Sequence, residues 1–149
     1  MDVYLLVGNL YKAFAQRPRP AHFINPAFRE NGQGSVLDSL ALPDIGLAEL
    51  GGGCAQRLDH LGDDALAYCL PRLLELALMG LHSHDGQLFA EHLLQLLGSN
   101  EERERFESYS EAEVMAVLDA LDYLYIELGE QMTSCTLDDA LMFWAEKVC

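Results

Sequence analysis

An all-α fold, a compact bundle of five to seven helices, is what this sequence predicts, and three observations predict it. Apolar residues recur at three- and four-residue spacing in most windows of the chain. Helix-start signatures precede several of those windows. No stretch alternates apolar and polar residues for long enough to build a sheet. The 149 residues, half of them hydrophobic, are expected to form a single domain, 1–149. A chain of that size buries about 70% of the surface it would expose unfolded.

The first helix is expected from about Asp2 to Gln16, with Val3, Leu6, Val7, Leu10, Tyr11 and Phe14 on its apolar face. Its apolar run and Ala13-Phe14-Ala15 ending have the look of an export signal. The leading charge is Asp2, however, and Lys12 interrupts the segment, so an amphipathic helix is the reading adopted. Pro18, Pro20 and Pro26 remove three backbone donors within nine residues and predict an irregular stretch. The segment LDSLALPDIGLAELGGGCAQRL reads as short helical turns around the Gly51-Gly52-Gly53 break. Without a Lys-Ser/Thr pair or a preceding strand, those glycines are a connection and not a phosphate loop.

From Gly62 onward nearly everything is expected to be helical. Asp63 is placed as the N-cap of a helix that is apolar almost all round and belongs at the centre of the fold. Pro71 falls in the middle of it. It either starts a new helix, where its missing N–H costs nothing, or interrupts a continuous one and frees the carbonyl of Ala67. A further helix is capped near Ser83 or Asp85 and closes at Gly98, and NEERERF follows as a short charged turn or helix. The clearest helix is SEAEVMAVLDALDYLYIELG, with Ser110 and Glu113 as a capping box and Gly129 at its C-terminal cap. The last helix is expected to repeat the box with Thr136 and Asp139.

Three blocks carry a resemblance. LYKAFAQRPRP, DALAYCLPRLLELAL and FESYSEAEVMAVLDALDYL resemble the conserved blocks of a small bacterial family catalogued only as a domain of unknown function. The matching positions are Ala13, Phe14, Ala15, Pro18 and Pro20, then Tyr68, Leu70 and Pro71, then Ser110 and Glu113. The Gly-x-x-Trp element between the family's first two blocks has no counterpart here, where GGGCAQRL stands. The resemblance implies a compact helical bacterial protein and brings no catalytic residue with it.

Charge bounds the function classes. The net charge is −15; residues 1–40 hold four Lys or Arg against three Asp or Glu, and residues 41–149 hold five against twenty-one. Nucleic acid and anionic membrane are poor partners for such a surface, and a basic protein is a good one. No run reaches the ~18 uninterrupted apolar residues of a membrane span. The cysteines, Cys54, Cys69, Cys135 and Cys149, form no C-x-x-C pair and read as reduced thiols of a cytoplasmic protein.

Residues that could carry chemistry do not converge on a reaction. His82, His84 and Asp85 form a superficial H-x-H-x-D pattern, the basis of an alternative reading as a metal-dependent hydrolase. Their spacing matches no established ligand set, so neither a metal nor any other cofactor is expected. His92 falls on the apolar side of its helix and reads as a core or boundary residue. Cys69 reads as buried and inert. The alternating carboxylates and arginines of 101–107 read as a solvated face.

The helix at 111–129 says more. Val114, Val117, Leu118, Leu121, Leu124, Tyr125 and Leu128 share its core face. Glu111, Met115, Asp119, Asp122, Ile126 and Glu130 fall opposite, with Tyr123 beside them. Apolar anchors rimmed by carboxylates are what a binder of a basic protein presents. Burial of this face under residues 137–148 is the competing expectation. The function expected is therefore an acidic, non-catalytic binding protein, in its commonest guise a bacterial immunity protein that occludes the active cleft of a secreted toxin. A housekeeping interaction or dimerisation module is the other alternative, and self-association into a homo-oligomer stays open.

Overall fold

The computed structural model describes residues 2–24, 36–50, 58, 60–128 and 134–147. Among them five α-helices follow one another: α1 (Val3–Ala13), α2 (Asp63–Met79), α3 (His84–Gly98), α4 (Glu111–Leu128) and α5 (Ser134–Glu146). Short 3-10 turns occupy Val36–Ser39, Leu42–Asp44, Ala48–Leu50 and Asn100–Phe106. The single β-bridge described, Ile24 to Leu61, builds no sheet.

Helix α1 begins where Asp2 accepts a hydrogen bond from the Tyr4 N–H at 2.9 Å. It ends at Ala13, three residues earlier than the sequence suggested, because Phe14–Gln16 turn ahead of Pro18. Leu6, Leu10 and Phe14 point into the core. The irregular stretch that follows is tied down by side chains. Asp38 accepts from the Phe23 N–H at 2.7 Å and pairs with His22 at 3.0 Å. Arg19 donates to the carbonyls of Asp38 and Leu40 and stacks over the rings of Phe23 and Tyr68.

Helix α2 is the buried centre, with Leu66, Leu70, Leu73, Leu74 and Ala77 fully enclosed. Pro71 lies inside this continuous helix, which sets aside the reading that it starts a new one. Gly62 takes the N-cap position expected for Asp63, with extended backbone; Asp63 is instead the first helical residue and accepts from Arg105 Nε at 2.8 Å. Ser83 caps α3, its Oγ accepting from the Gly86 N–H at 3.0 Å. The α2–α3 corner is so tight that a Cβ on Gly86 would collide with the Gly80 carbonyl oxygen. At the α3–α5 crossing a Cβ on Gly98 would meet the Ala140 nitrogen at 2.9 Å.

Helix α4 starts with the expected capping box: the Ser110 N–H donates to Glu113 at 2.8 Å and the Glu113 N–H to Ser110 Oγ at 3.2 Å. Helix α5 begins at Ser134, which puts Thr136 in its first turn and not before it as the second capping box required. The C-terminal cap expected at Gly129 lies outside the described residues, as do Cys54 and Cys149; Cys135 falls in the first turn of α5.

Several side-chain contacts fix the helix directions. Phe14 packs edge-on against Tyr109, and Arg17 reaches Glu113, so the end of α1 meets the start of α4 and the two run antiparallel. Phe143 and Trp144 stack on Phe106, and Lys147 donates to the Phe106 carbonyl, so α5 also runs antiparallel to α4. Trp144 Nε1 donates to the Leu97 carbonyl at 3.1 Å and ties α5 to the end of α3. Both α1 and α5 pack directly on α4.

Candidate partner-binding face

Flanked by α1 and α5, α4 keeps one side for solvent. Val114, Val117, Leu121, Leu124 and Leu128 are buried, as their spacing requires. On the opposite side Met115 is 44% exposed and Ile126 79% exposed, and Glu111 and Asp122 are exposed with them. Residues 138–147 therefore do not cover Met115 or Ile126. The α5 helix buries Phe143 and Trp144 against α3 and the Phe106 ring and leaves the outer side of α4 open.

Three of the residues assigned from the sequence stand differently. Asp119 is half-buried. Tyr123 is also half-buried and packs against the core, so it sits on the flank of the helix and not on its crest. Glu130 lies outside the described residues. Leu118, given to the core, is partly buried, and Tyr125, also given to the core, is 51% exposed. For Tyr125 the reason is length. Helix α4 has 18 residues and α1 has 11, and the two are aligned at the Phe14–Tyr109 end. At about 1.5 Å per residue, roughly the last two turns of α4 outreach α1. Tyr125, Ile126 and Glu127 are accordingly exposed in a row, which a helix covered on two flanks along its whole length would not allow.

At the other end of α4 the surface is closed by an ion pair. Arg17 Nε and Nη2 donate to the two Glu113 carboxylate oxygens at 2.7 and 2.9 Å, and the guanidinium lies 4.7 Å from the centre of the Tyr109 ring. Burial pushes Glu113 upward, but the Arg17 guanidinium and the donors of Ser110 outweigh it and hold the carboxyl below its usual range. The sequence marks Glu113 as a cap; nothing in it pairs position 113 with position 17, ninety-six residues away.

The sequence reading also missed an exposed apolar pair on α1, Tyr4 at 71% and Leu5 at 58%. The signal was present, since neither belongs to the stripe of Leu6, Leu10 and Phe14.

The remaining candidates do not assemble into a site. His82, His84 and Asp85 are exposed around the start of α3, and His92 is a boundary residue. Among the described residues no group of three or more His, Cys, Asp or Glu side chains is placed to hold a metal ion. Cys69 is buried, and that burial pushes its thiol up to about 12, far from the reactive thiolate. Among the described residues no helix is long and apolar enough to cross a membrane. Comparison with protein-family models, with curated proteins and with solved structures finds no match to this chain.

Proposed function

We propose that this protein is an acidic, non-catalytic binding protein that docks a basic partner protein through the outward side of α4. One observation carries the reading. An 18-residue helix contains no Lys or Arg, and its open side presents Met115 and Ile126 beside the exposed carboxylates Glu111 and Asp122. Apolar side chains left in water between carboxylates cost free energy that a cationic partner with an apolar contact surface recovers. The form that fits a small acidic chain of this kind is a bacterial immunity protein, held in the cytoplasm and occluding the active cleft of a cognate toxin.

The test is a kinetic binding assay against the basic protein that co-purifies from the native host, at two salt concentrations. Association should slow as salt rises, since attraction is screened beyond ~10 Å at 0.1 M. Charge reversal at Asp119 and Asp122 together should slow association, while Ile126→Ala should shorten the lifetime of the complex. Salt-independent association would defeat the reading.

A further inference from the structure

The α4 side is not the whole of the exposed apolar surface near it. Counted upward from the Phe14–Tyr109 contact at about 1.5 Å per residue, Leu5 stands about level with Leu118 and Asp2 about level with Leu121. The start of α1 and the second half of α4 thus form a step, with the end of α4 outreaching α1. Tyr4 and Leu5 are exposed on the start of α1, Tyr125 and Ile126 on the end of α4. Asp2, Asp122 and Glu127 are exposed in the same two segments.

The two helical segments that form this step carry no cationic side chain. No Lys or Arg occurs in residues 2–11 or anywhere in α4. Arg17, Arg103, Arg105 and Lys147 gather at the opposite end of the bundle, where Arg17 pairs with Glu113, Arg103 with Glu146, Arg105 with Asp63, and Lys147 with the Phe106 carbonyl. Among the described residues, four positive groups are thus committed at that end, while Tyr4, Leu5, Tyr125 and Ile126 belong to segments that carry only carboxylates.

We propose that the step between the start of α1 and the end of α4 is the docking surface, and that its occupant is a segment of a basic protein carrying an apolar side chain between Lys or Arg residues. This rests on the acidic-binder reading and adds to it that α1 shares the interface. Charge complementarity chooses the occupant. A second copy of this chain, with its own net charge of −15, would set the Asp2, Asp122 and Glu127 carboxylates against their like across a two-fold contact.

The experiment follows backbone amide shifts of the full-length 15N-labelled protein during titration with a synthetic peptide of alternating Lys and Leu pairs. An all-Lys peptide of equal charge is titrated in parallel. Shifts are expected to concentrate in residues 2–9 and 115–128, with the Lys/Leu peptide binding about tenfold more tightly than the all-Lys one. Leu5→Ser and Ile126→Ser, both at exposed positions, should each weaken the Lys/Leu peptide at least about threefold, and Met142→Ser, exposed on α5, should leave its affinity unchanged. Binding that weakens with salt but is untouched by Leu5→Ser, or shifts that fall outside α1, would overturn the step and spare the acidic-binder reading. No salt-sensitive binding of either peptide would overturn both. Shifts that move with protein concentration alone, together with a doubled mass in sedimentation, would place a second copy on the step and overturn the proposal.

Discussion

Glu113 shows how much one side chain holds together. It closes the capping box at the start of α4 and takes both nitrogens of the Arg17 fork, joining α4 to the chain just after α1. A carboxyl held low in the folded state binds fewer protons than it does unfolded, so its stabilisation is present above the ordinary Glu value of about 4.3 and fades as pH falls through the lower folded value. Glu113→Gln should cost about 2 kcal/mol at pH 7, because it leaves a partly buried guanidinium without its counter-charge. Urea midpoints measured from pH 7 down to pH 3 should converge for the two proteins as acid neutralises Glu113 in the wild type; parallel curves would show that the pair adds nothing. Tyr109 offers the reverse case. Its hydroxyl is buried with no hydrogen-bond partner among the described residues, and burial drives its pKa up. Tyr109→Phe keeps the ring stacked on Phe14, Phe106 and Trp144 and should raise stability by up to about 1 kcal/mol. A loss in thermal unfolding would contradict this.

At the scale of elements, two helical glycines should respond in opposite directions. A Cβ at Gly8 meets no atom within 4 Å on the exposed side of α1, so Gly8→Ala should stabilise by about 0.5–1 kcal/mol through the entropy of the unfolded chain. A Cβ at Gly86 would collide with the Gly80 carbonyl, so Gly86→Ala should force the α2–α3 corner apart and cost more than about 2 kcal/mol. Chemical denaturation of both variants checks the pair. Pro71 poses a balance. Alanine there returns an N–H to the Ala67 carbonyl, recovering most of the ~3 kcal/mol that proline costs inside a helix. It also withdraws about two methylenes from the core, at ~0.8 kcal/mol each. The net expectation is a gain of about 1 kcal/mol, and a destabilised Pro71→Ala would mean that the surrounding helices are built on the shape of the ring. The helices themselves were legible because their apolar residues repeat at helical spacing. Their ends were less so: Gly62 displaced Asp63 as a cap, and α5 started before Thr136, because cap positions depend on backbone angles that neighbouring residue types only bias.

For the whole molecule, a net charge of −15 on 149 residues means that carboxylates repel one another across the folded surface. The exposed ion pairs, such as Arg103 with Glu146, are each worth little and are weakened by salt. Screening the general repulsion should outweigh their loss. The thermal midpoint is therefore expected to rise by a few degrees between 0.02 and 0.5 M sodium chloride, the size of about 1 kcal/mol for a domain of this length. A falling midpoint would show that the described ion pairs dominate over the net field.

Legible in the chain alone were the fold class, the buried stripe of α4 and the sign of that helix's charge. Each of these is a one-dimensional property: the spacing of Val114, Val117, Leu121 and Leu124, or the absence of Lys and Arg between Glu111 and Leu128, is already complete in the chain. Only the tertiary structure decided what stands beside that helix. The Arg17–Glu113 pair, the exposure of Tyr125 and the position of Leu5 level with Leu118 follow from the antiparallel packing of two helices of unequal length, separated by about a hundred residues. Periodicity tells which side of a helix turns inward. It carries no information about how far the neighbouring helix reaches along it, and that length difference is what leaves the step between α1 and α4 open to solvent.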